Sequence, residues 1–282
     1  MRLLALFAAA LALAACRPVD ALNALTPDGG YRLENDLAFG DLARQKLDLY
    51  RPVRPASVPS PVIVFFYGGS WTGGARADYR FIGQQFAAQG YTVVIPDYRL
   101  YPDVRFPEFL KDGALAVRWV QDHVGEFGGD SARLFLMGHS AGAYNAAMLA
   151  LDRRYADAAG FDRRRIKGLI GLAGPYDFVL EPGVVQAVFG EAPDYAQTQP
   201  VRFVSSDAPP ALLLTGSADS TVRPANSYSL AAHLRAAGRP VTLKEYAGLD
   251  HIDLILECAE AWPSKTTALA DILSFLKAAA AN

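Results

Sequence analysis

The chain has 282 residues, with 27 Lys and Arg against 29 Asp and Glu, a formal net charge of −2, and 51% hydrophobic residues. This balance argues against nucleic acid as a partner, because nucleic-acid-binding domains concentrate positive charge on one face. The only cysteines are Cys16 and Cys258. Because Cys16 belongs to a processing segment, we expect no intrachain disulfide and a buried core thiol at Cys258.

The N-terminus has the pattern of an export signal. Met-Arg is followed by an unbroken apolar stretch at residues 3–15 and then by Cys16. The stretch is too short to span a bilayer, and its charge lies only at the start, which is typical of a secretory signal. Residues 13–16 (LAAC) also fit the bacterial lipobox, in which the cysteine is diacylated and becomes the new N-terminus.

The lipobox predicts a lipoprotein signal over residues 1–15 and a lipid anchor on Cys16. The acyl chains would attach an exported domain to a membrane, in the periplasm or at the cell surface. A plain signal peptide cleaved near Ala15, with an incidental cysteine, is the alternative.

The rest of the chain alternates between strand and helix patterns. Residues 16–40 are rich in turn-forming residues and are predicted to be a tether that leads into a domain at 41–282. The predicted strands are 45–51, 61–67, 91–96, 132–138, 167–173, 210–216 and 240–246, and the predicted helices are 75–89, 107–126, 141–152, 223–238 and 264–280. Such alternation indicates an α/β fold with a mainly parallel sheet flanked by helices. Residues 174–208 break the alternation and are predicted to be a short cap over the substrate.

A nucleophile motif follows the fourth predicted strand. Residues 138–142 read GHSAG, directly after the apolar run LFLM and directly before a helix of small residues. A strand that runs into G-x-S-x-G and then into a helix is the layout of a nucleophile elbow, which exposes the serine hydroxyl at a tight turn. The free N–H groups of the helix would face a developing negative charge. Ser140 is the predicted nucleophile.

An acid and a base follow later strands. Asp219 comes after the strand at 210–216, and His251 comes after the strand at 240–246. The order Ser140, Asp219, His251 is the order that a hydrolase of this architecture requires. Asp177 stays open as an alternative acid. His139 is treated as the variable residue of the motif, because successive residues there point in different directions.

A glycine turn and two aromatic residues complete the predicted site. The strand at 61–67 ends in Tyr67-Gly68-Gly69-Ser70-Trp71, where backbone N–H groups can turn toward an oxyanion. Trp71 and Tyr176 adjoin the predicted catalytic loops and are expected to line the substrate pocket. No group of His, Cys and Asp has metal-ligand spacing, so no metal is expected.

These motifs resemble α/β-hydrolases of the carboxylesterase group, which includes hormone-sensitive-lipase-like esterases, feruloyl-esterase-like proteins and kynurenine formamidase. Further matches are LDLYRP at 47–52, PDYRL at 96–100 and GPYD at 174–177. The resemblance implies an oxyanion hole made by the backbone N–H groups of Gly69, Ser70 and Ala141. The group usually has histidine where this chain has Tyr67, so we expect the glycine turn to be supported differently.

The sequence therefore predicts a serine hydrolase that acts on small acyl or aryl esters without a cofactor. An amide hydrolase of the aryl formamidase type is the first alternative, because the G-G-x-W pattern at 68–71 resembles it. A catalytically silent surface binding module is the second.

Overall fold

The computed structural model describes residues 18–53 and 58–280. The predicted signal at 1–15 and Cys16 lie outside the described residues. The strands are β1 (Tyr31–Ala38), β2 (Lys46–Pro52), β3 (Ser60–Phe66), β4 (Thr92–Pro96), β5 (Gly129–His139), β6 (Ile166–Leu172), β7 (Ala211–Gly216) and β8 (Val241–Tyr246). The α-helices are α1 (Pro18–Leu25), α2 (Arg80–Ala88), α3 (Glu108–His123), α4 (Ala141–Leu151), α5 (Arg153–Ala159), α6 (Val184–Phe189), α7 (Ala225–Ala236), α8 (His251–Leu256) and α9 (Ala268–Ala280).

The strands form one sheet in the order β1-β2-β4-β3-β5-β6-β7-β8. Strand β2 pairs antiparallel with both β1 and β4, and the other pairs are parallel. The predicted α/β fold with a mainly parallel sheet is therefore confirmed. Because the parallel strands run in one direction, the loops after β3, β5, β7 and β8 meet at the same edge of the sheet.

The predicted tether at 16–40 is wrong for the part that the structure describes. Helix α1 packs beside the 3₁₀ helix Arg76–Tyr79, and β1 is an edge strand, with Leu33 opposite Tyr50 of β2. All β1 side chains are exposed or half-exposed, and of its residues Tyr31 and Leu37 pack against the core. The alternation of Tyr31, Leu33 and Leu37 with charged residues is a short strand pattern, but it lies among turn-forming residues, which favoured the prediction of a tether.

The core lies on both faces of the sheet and is continuous with α4. The side chains of β3, β4 and β7 are almost completely buried, which explains their unbroken apolar sequences. Every residue of α4 is buried, and this helix packs on β3, β5 and β6. Its many alanines allow close approach to the sheet, and its first residue follows Ser140 directly.

Three local differences from the sequence prediction matter for the site. The predicted helix at 75–89 is a 3₁₀ helix at Arg76–Tyr79 followed by α2, and β5 begins at Gly129, three residues earlier than predicted. Helix α8, which begins at His251, was not predicted. The cap region 174–208 contains α6 and two 3₁₀ helices, Tyr195–Thr198 and Pro200–Phe203.

No helix within residues 18–53 and 58–280 has both the length and the hydrophobicity that a membrane crossing requires.

Candidate active site

Ser140 occupies a strained turn between β5 and α4. Its φ is 56° and its ψ is −126°, a region that non-glycine residues rarely adopt and that costs about 1–3 kcal/mol. The flanking glycines are needed for close approach. A Cβ at Gly138 would lie 2.3 Å from the Gly142 carbonyl oxygen, and one at Gly142 would lie 2.0 Å from that of Phe66. The turn holds the serine side chain at the carboxyl edge of the sheet.

Ser140, His251 and Asp219 form one hydrogen-bonded line. The Ser140 Oγ lies 2.8 Å from His251 Nε2, and His251 Nδ1 lies 2.8 Å from Asp219 Oδ2. All three residues are at most 8% exposed, so bulk water does not compete for these contacts. With Nδ1–H directed at the carboxylate, Nε2 has a lone pair free to accept the serine proton.

The Asp219 carboxylate is anchored by its own loop. Its Oδ1 accepts hydrogen bonds from the backbone N–H groups of Thr221 (2.9 Å) and Val222 (2.8 Å). Burial by itself raises the pKa of Asp219, but the hydrogen bonds from His251 and Val222 outweigh it and hold the pKa below its ordinary value. The carboxylate is thus ionised at neutral pH. Asp177, the alternative acid, is exposed and instead accepts from Ser229 Oγ at 2.5 Å.

His251 is the first residue of α8, and the preceding Asp250 is the N-cap of that helix. The Asp250 side chain accepts from the N–H groups of Ile252 (2.9 Å) and Asp253 (2.8 Å). N-capping of this kind satisfies N–H groups that a helix end leaves unpaired. Asp250 therefore fixes the start of the helix that carries His251, while Asp219 contacts the His251 ring.

The loop after β3 presents backbone donors to the same point. Gly69, Ser70 and Trp71 have φ values of 127°, 53° and 59°, so three consecutive residues adopt positive φ. Within the described ranges, neither Gly69 nor Ser70 donates its N–H to another residue. Ser70 and Ala141 line a cleft together with Ser140. This arrangement is suited to hold a negatively charged oxygen beside the serine.

Comparison with known proteins agrees with this geometry. The BD-FAE family matches residues 47–234. This chain belongs to the BD-FAE family. Isoprenylcysteine alpha-carbonyl methylesterase ICME of Arabidopsis thaliana is 30% identical over 248 residues, which cover 80% of this chain and 58% of that protein. Esterase LipC of Mycobacterium tuberculosis is 30% identical over 246 residues, which cover 80% of this chain and 61% of that protein.

The match thus spans about three fifths of the length of these two curated relatives. Among solved structures, esterase B from Lactobacillus rhamnosis has a TM-score of 0.80 and 23% identity, with 99% of this chain and 95% of that chain covered. A carbohydrate esterase from gut microbiota has a TM-score of 0.79 and 19% identity, with 91% and 99% covered. At these identities the likeness establishes the fold, and the α/β-hydrolase architecture of this BD-FAE chain is confirmed.

Tyr67 supports the glycine turn from beneath. Its hydroxyl donates to Asp97 Oδ1 at 2.7 Å and accepts from Arg44 Nη2 at 2.8 Å. Arg44 also donates to the Gly74 carbonyl at 2.8 Å, and the Tyr67 ring lies against Gly74. Burial, with a smaller effect of Tyr98 and Asp97, raises the pKa of Tyr67 well above its ordinary value, so the hydroxyl stays protonated. The turn is therefore supported by a tyrosine network.

The cleft above Ser140 has a volume of about 370 Å³ and two unlike walls. One wall is mainly apolar and comes from the predicted oxyanion loop (residues 67–71, after β3) and the cap (residues 174–208), which also brings the carboxylates of Asp177 and Glu181 to it. The other is polar and follows β7. The apolar wall contains Trp71, Phe178, Val179, Val184 and Val185, and the polar wall contains Ser220, Thr221, Arg223 and Asn226.

Of the two predicted pocket aromatics, Trp71 lines the cleft, and its Nε1–H donates to Asn145 Oδ1 at 3.1 Å. The prediction for Tyr176 is wrong. Tyr176 is fully buried, and its hydroxyl lies over Gly171, where a Cβ would be only 1.9 Å away. Because Gly171 and Gly174 have no Cβ, they leave space for the Tyr176 ring, which turns into this space and away from the cleft.

His139 was not predicted to take part in the site. The structure places its Nε2 2.9 Å from the His251 carbonyl oxygen, with the two rings 4.8 Å apart between centroids. The motif holds no signal for this contact, because the partner is 112 residues away in the sequence. Of the other histidines, His123 is exposed and contacts Glu126, and His233 is exposed and contacts the Ser229 carbonyl.

The rest of the described chain offers no metal site and one further cavity of note. Over the described ranges, no group of three or more His, Cys, Asp or Glu residues could hold a metal ion. A cavity of about 540 Å³ lies at the opposite edge of the sheet, beside the first residues of β6 and β8, and no predicted site residue lines it. Cys258 is fully buried, and burial raises the pKa of its thiol to about 12.

Proposed function

We propose that this chain is a serine hydrolase of carboxylic esters and that Ser140, His251 and Asp219 are its catalytic triad. The observation that carries the proposal is the hydrogen-bonded line of 2.8 Å contacts from Ser140 to His251 and from His251 to Asp219. The Ser140 end of these hydrogen bonds lies in the cleft, which Ser70 and Ala141 also line with their backbone N–H groups. A nucleophile, a base held in one tautomer and oxyanion donors are the parts that acyl transfer requires.

In the acylation half-reaction, His251 Nε2 takes the Ser140 proton while Oγ attacks the ester carbonyl carbon. The carbonyl π electrons move to oxygen, and the N–H groups of Gly69, Ser70 and Ala141 bind the resulting oxyanion. Asp219 stabilises the imidazolium without taking its proton. His251 then protonates the alkoxide oxygen as the C–O bond breaks, which releases the alcohol and leaves an acyl-serine.

In the deacylation half-reaction, water replaces the alcohol. His251 removes a proton from the water as its oxygen attacks the acyl carbon, and the same oxyanion donors act again. When the bond to Ser140 breaks, the proton on His251 returns to Oγ and the carboxylic acid leaves. The cycle needs no metal or cofactor.

The size and walls of the cleft support small acyl or aryl esters as substrates. A volume of about 370 Å³ lies at the lower end of the range for small-molecule sites. The apolar wall suits a short acyl or aryl group, and the polar wall suits the other half of an ester. The curated relatives include proteins named as esterases and as isoprenylcysteine methylesterases, which agrees with ester chemistry.

A fluorophosphonate probe tests the proposal, because it labels only an activated serine. Wild type and Ser205→Ala, which changes an exposed serine, should be labelled, and Ser140→Ala should not.

Hydrolysis of 4-nitrophenyl esters should fall as the acyl chain outgrows the cleft. Faster turnover of a formylated arylamine than of any ester would favour an amide hydrolase. Wild type with neither labelling nor turnover would overturn the proposal and favour a binding module.

We also propose that the mature protein is a membrane-anchored lipoprotein exported from a bacterial cell. Support comes from the sequence LAAC at residues 13–16 after an apolar stretch. A diacylated cysteine supplies the two acyl chains that stable membrane attachment requires.

A further inference from the structure

His139 lies between the base and the oxyanion loop, beneath the cleft. It is the last residue of β5 and is 2% exposed. On one side its Nε2 contacts the backbone carbonyl oxygen of His251 at 2.9 Å. On the other side it faces Gly68, where a Cβ would lie 3.2 Å from His139 Nδ1. The ring therefore fills the space between two loops that must both be aligned with Ser140.

The contact with His251 determines which ring nitrogen of His139 carries the proton. A carbonyl oxygen only accepts, so Nε2 must be the donor. The neutral ring then has a lone pair on Nδ1, which has no hydrogen-bond partner among the described residues. Protonation of Nδ1 would place a charge in this buried space. Burial, and to a lesser degree the nearby His251, accordingly lowers the pKa of His139 to about 3. His139 is a neutral, permanent donor.

The contact acts on the backbone of His251, and the ring of His251 contacts Asp219 and Ser140 by its two nitrogens. The hydrogen bond from Asp219 sets the direction of the His251 ring, but it does not fix the position of the His251 Cα. The N-cap at Asp250 orders the start of α8 within its own loop. The hydrogen bond from His139 is the one described side-chain contact that ties the His251 backbone to the strand carrying the nucleophile.

We propose that His139 is a positioning residue that holds the base His251 at the correct distance from Ser140 by donating Nε2–H to the His251 carbonyl. The inference rests on the proposed function, because it assigns a task within that mechanism. His139 does not line the cleft, so its loss should affect turnover and leave substrate binding almost unchanged. A shift of about 1 Å in a reacting group can cost about 10²-fold in rate.

Two isosteric variants separate the donor from the volume of the ring. The amide nitrogen of glutamine can occupy the place of the imidazole Nε2, whereas that of asparagine falls near Nδ1 and cannot reach the His251 carbonyl. We expect His139→Leu and His139→Asn to lower kcat about 10²-fold with little change in KM. His139→Gln should stay within about tenfold of wild type, because it keeps the hydrogen bond. His123→Leu, at an exposed histidine, is the matched control.

Two further measurements make the result specific. The proton on His251 Nδ1, bonded to Asp219, should give a low-field NMR signal in wild type and His139→Gln that is broadened or lost in His139→Asn. Thermal unfolding should show that all variants are folded at the assay temperature. Equal kcat for the Gln, Asn and Leu variants would overturn the inference, as would an unchanged signal in His139→Asn. Turnover that survives in Ser140→Ala would instead overturn the proposed function.

Discussion

The Tyr67 hydroxyl donates a hydrogen bond of 2.7 Å to Asp97, which links the start of the oxyanion loop to the residue after β4. Arg44 and Arg76 bind the same pair: Arg44 donates to the Tyr67 hydroxyl, and Arg76 forms an ion pair with Asp97. The consequence is that the glycine turn rests on a buried polar network. Such networks hold a conformation firmly when every member has a partner.

Removal of Tyr67 should impair turnover more than substrate binding. Tyr67→Ala removes both the ring under Gly74 and the hydroxyl, so the loop loses its support and the oxyanion donors lose their alignment. Because those donors act mainly in the transition state, kcat should fall about 10²-fold with a smaller change in KM. Tyr67→Phe keeps the ring and should cost about 1 kcal/mol of unfolding free energy with a milder kinetic effect. Steady-state kinetics measure the changes in kcat and KM, and urea unfolding measures the change in unfolding free energy.

The control for Tyr67 is Tyr91, a half-buried tyrosine with no side-chain hydrogen bond among the described residues. Tyr91→Phe should leave both kinetics and stability at wild-type values. An unchanged kcat in Tyr67→Ala would mean that the residue only fills space.

Replacement of the acid should distinguish Asp219 from Asp177. Asp219→Asn removes the charge that stabilises the imidazolium and can leave His251 in the wrong tautomer, so kcat should fall by about 10³–10⁴-fold. Asp177→Asn changes an exposed side chain that borders the cleft but accepts from Ser229 Oγ and not from His251, so kcat should change far less. Rates for one short 4-nitrophenyl ester, with Asp122→Asn as the surface control, decide the assignment. The reverse ranking of the two variants would transfer the role to Asp177.

Glu257 should make stability depend on pH. Burial by itself raises its pKa, but hydrogen bonds from the Lys265 and Thr266 N–H groups and from the Ser264 and Thr266 hydroxyls hold the pKa below its ordinary value. A depressed pKa means that the stabilisation is fully present above the unfolded value of about 4.3 and is lost as pH falls through the folded value.

Urea unfolding of wild type and Glu257→Gln measures this effect. The difference in unfolding free energy should be largest near neutral pH and should shrink as the pH is lowered to about 3. Glu126→Gln, at an exposed residue, is the matched surface control. A wild-type advantage that stayed constant over this range would show that the charge of Glu257 contributes nothing.

Lipid attachment should depend on Cys16. Native protein should partition into membranes or detergent, resist salt washing and incorporate labelled fatty acid, because two acyl chains bind a bilayer stably. Cys16→Ser should block labelling and precursor processing. A truncated protein that begins after residue 17 should hydrolyse esters as fast as the full chain, since the proposed triad lies far along the chain. Soluble, unlabelled mature protein would point to ordinary secretion.

The sequence alone determined the fold class and the order of the chemical groups. Unbroken apolar strands such as β3 and β7 can be read directly, because burial on both faces excludes polar residues. The elbow at Ser140 could be predicted because a tight strand-to-helix turn leaves so little space that glycines must flank the serine. Asp219 and His251 could be placed because each follows a strand of the same parallel sheet.

Tertiary structure decided the features that depend on partners distant in sequence. Strand β1 has only a short alternating pattern among turn-forming residues, and its pairing with β2 is what places it in the sheet. Tyr176 looked like a pocket residue because of its neighbours, but the space over Gly171 and Gly174 turns its ring inward. His139 and Tyr67 differ from ordinary core residues by polar contacts with residues distant in sequence: His139 with His251, and Tyr67 with Asp97 and Arg44. Such contacts form when packing brings separate loops together, and local sequence carries no record of them.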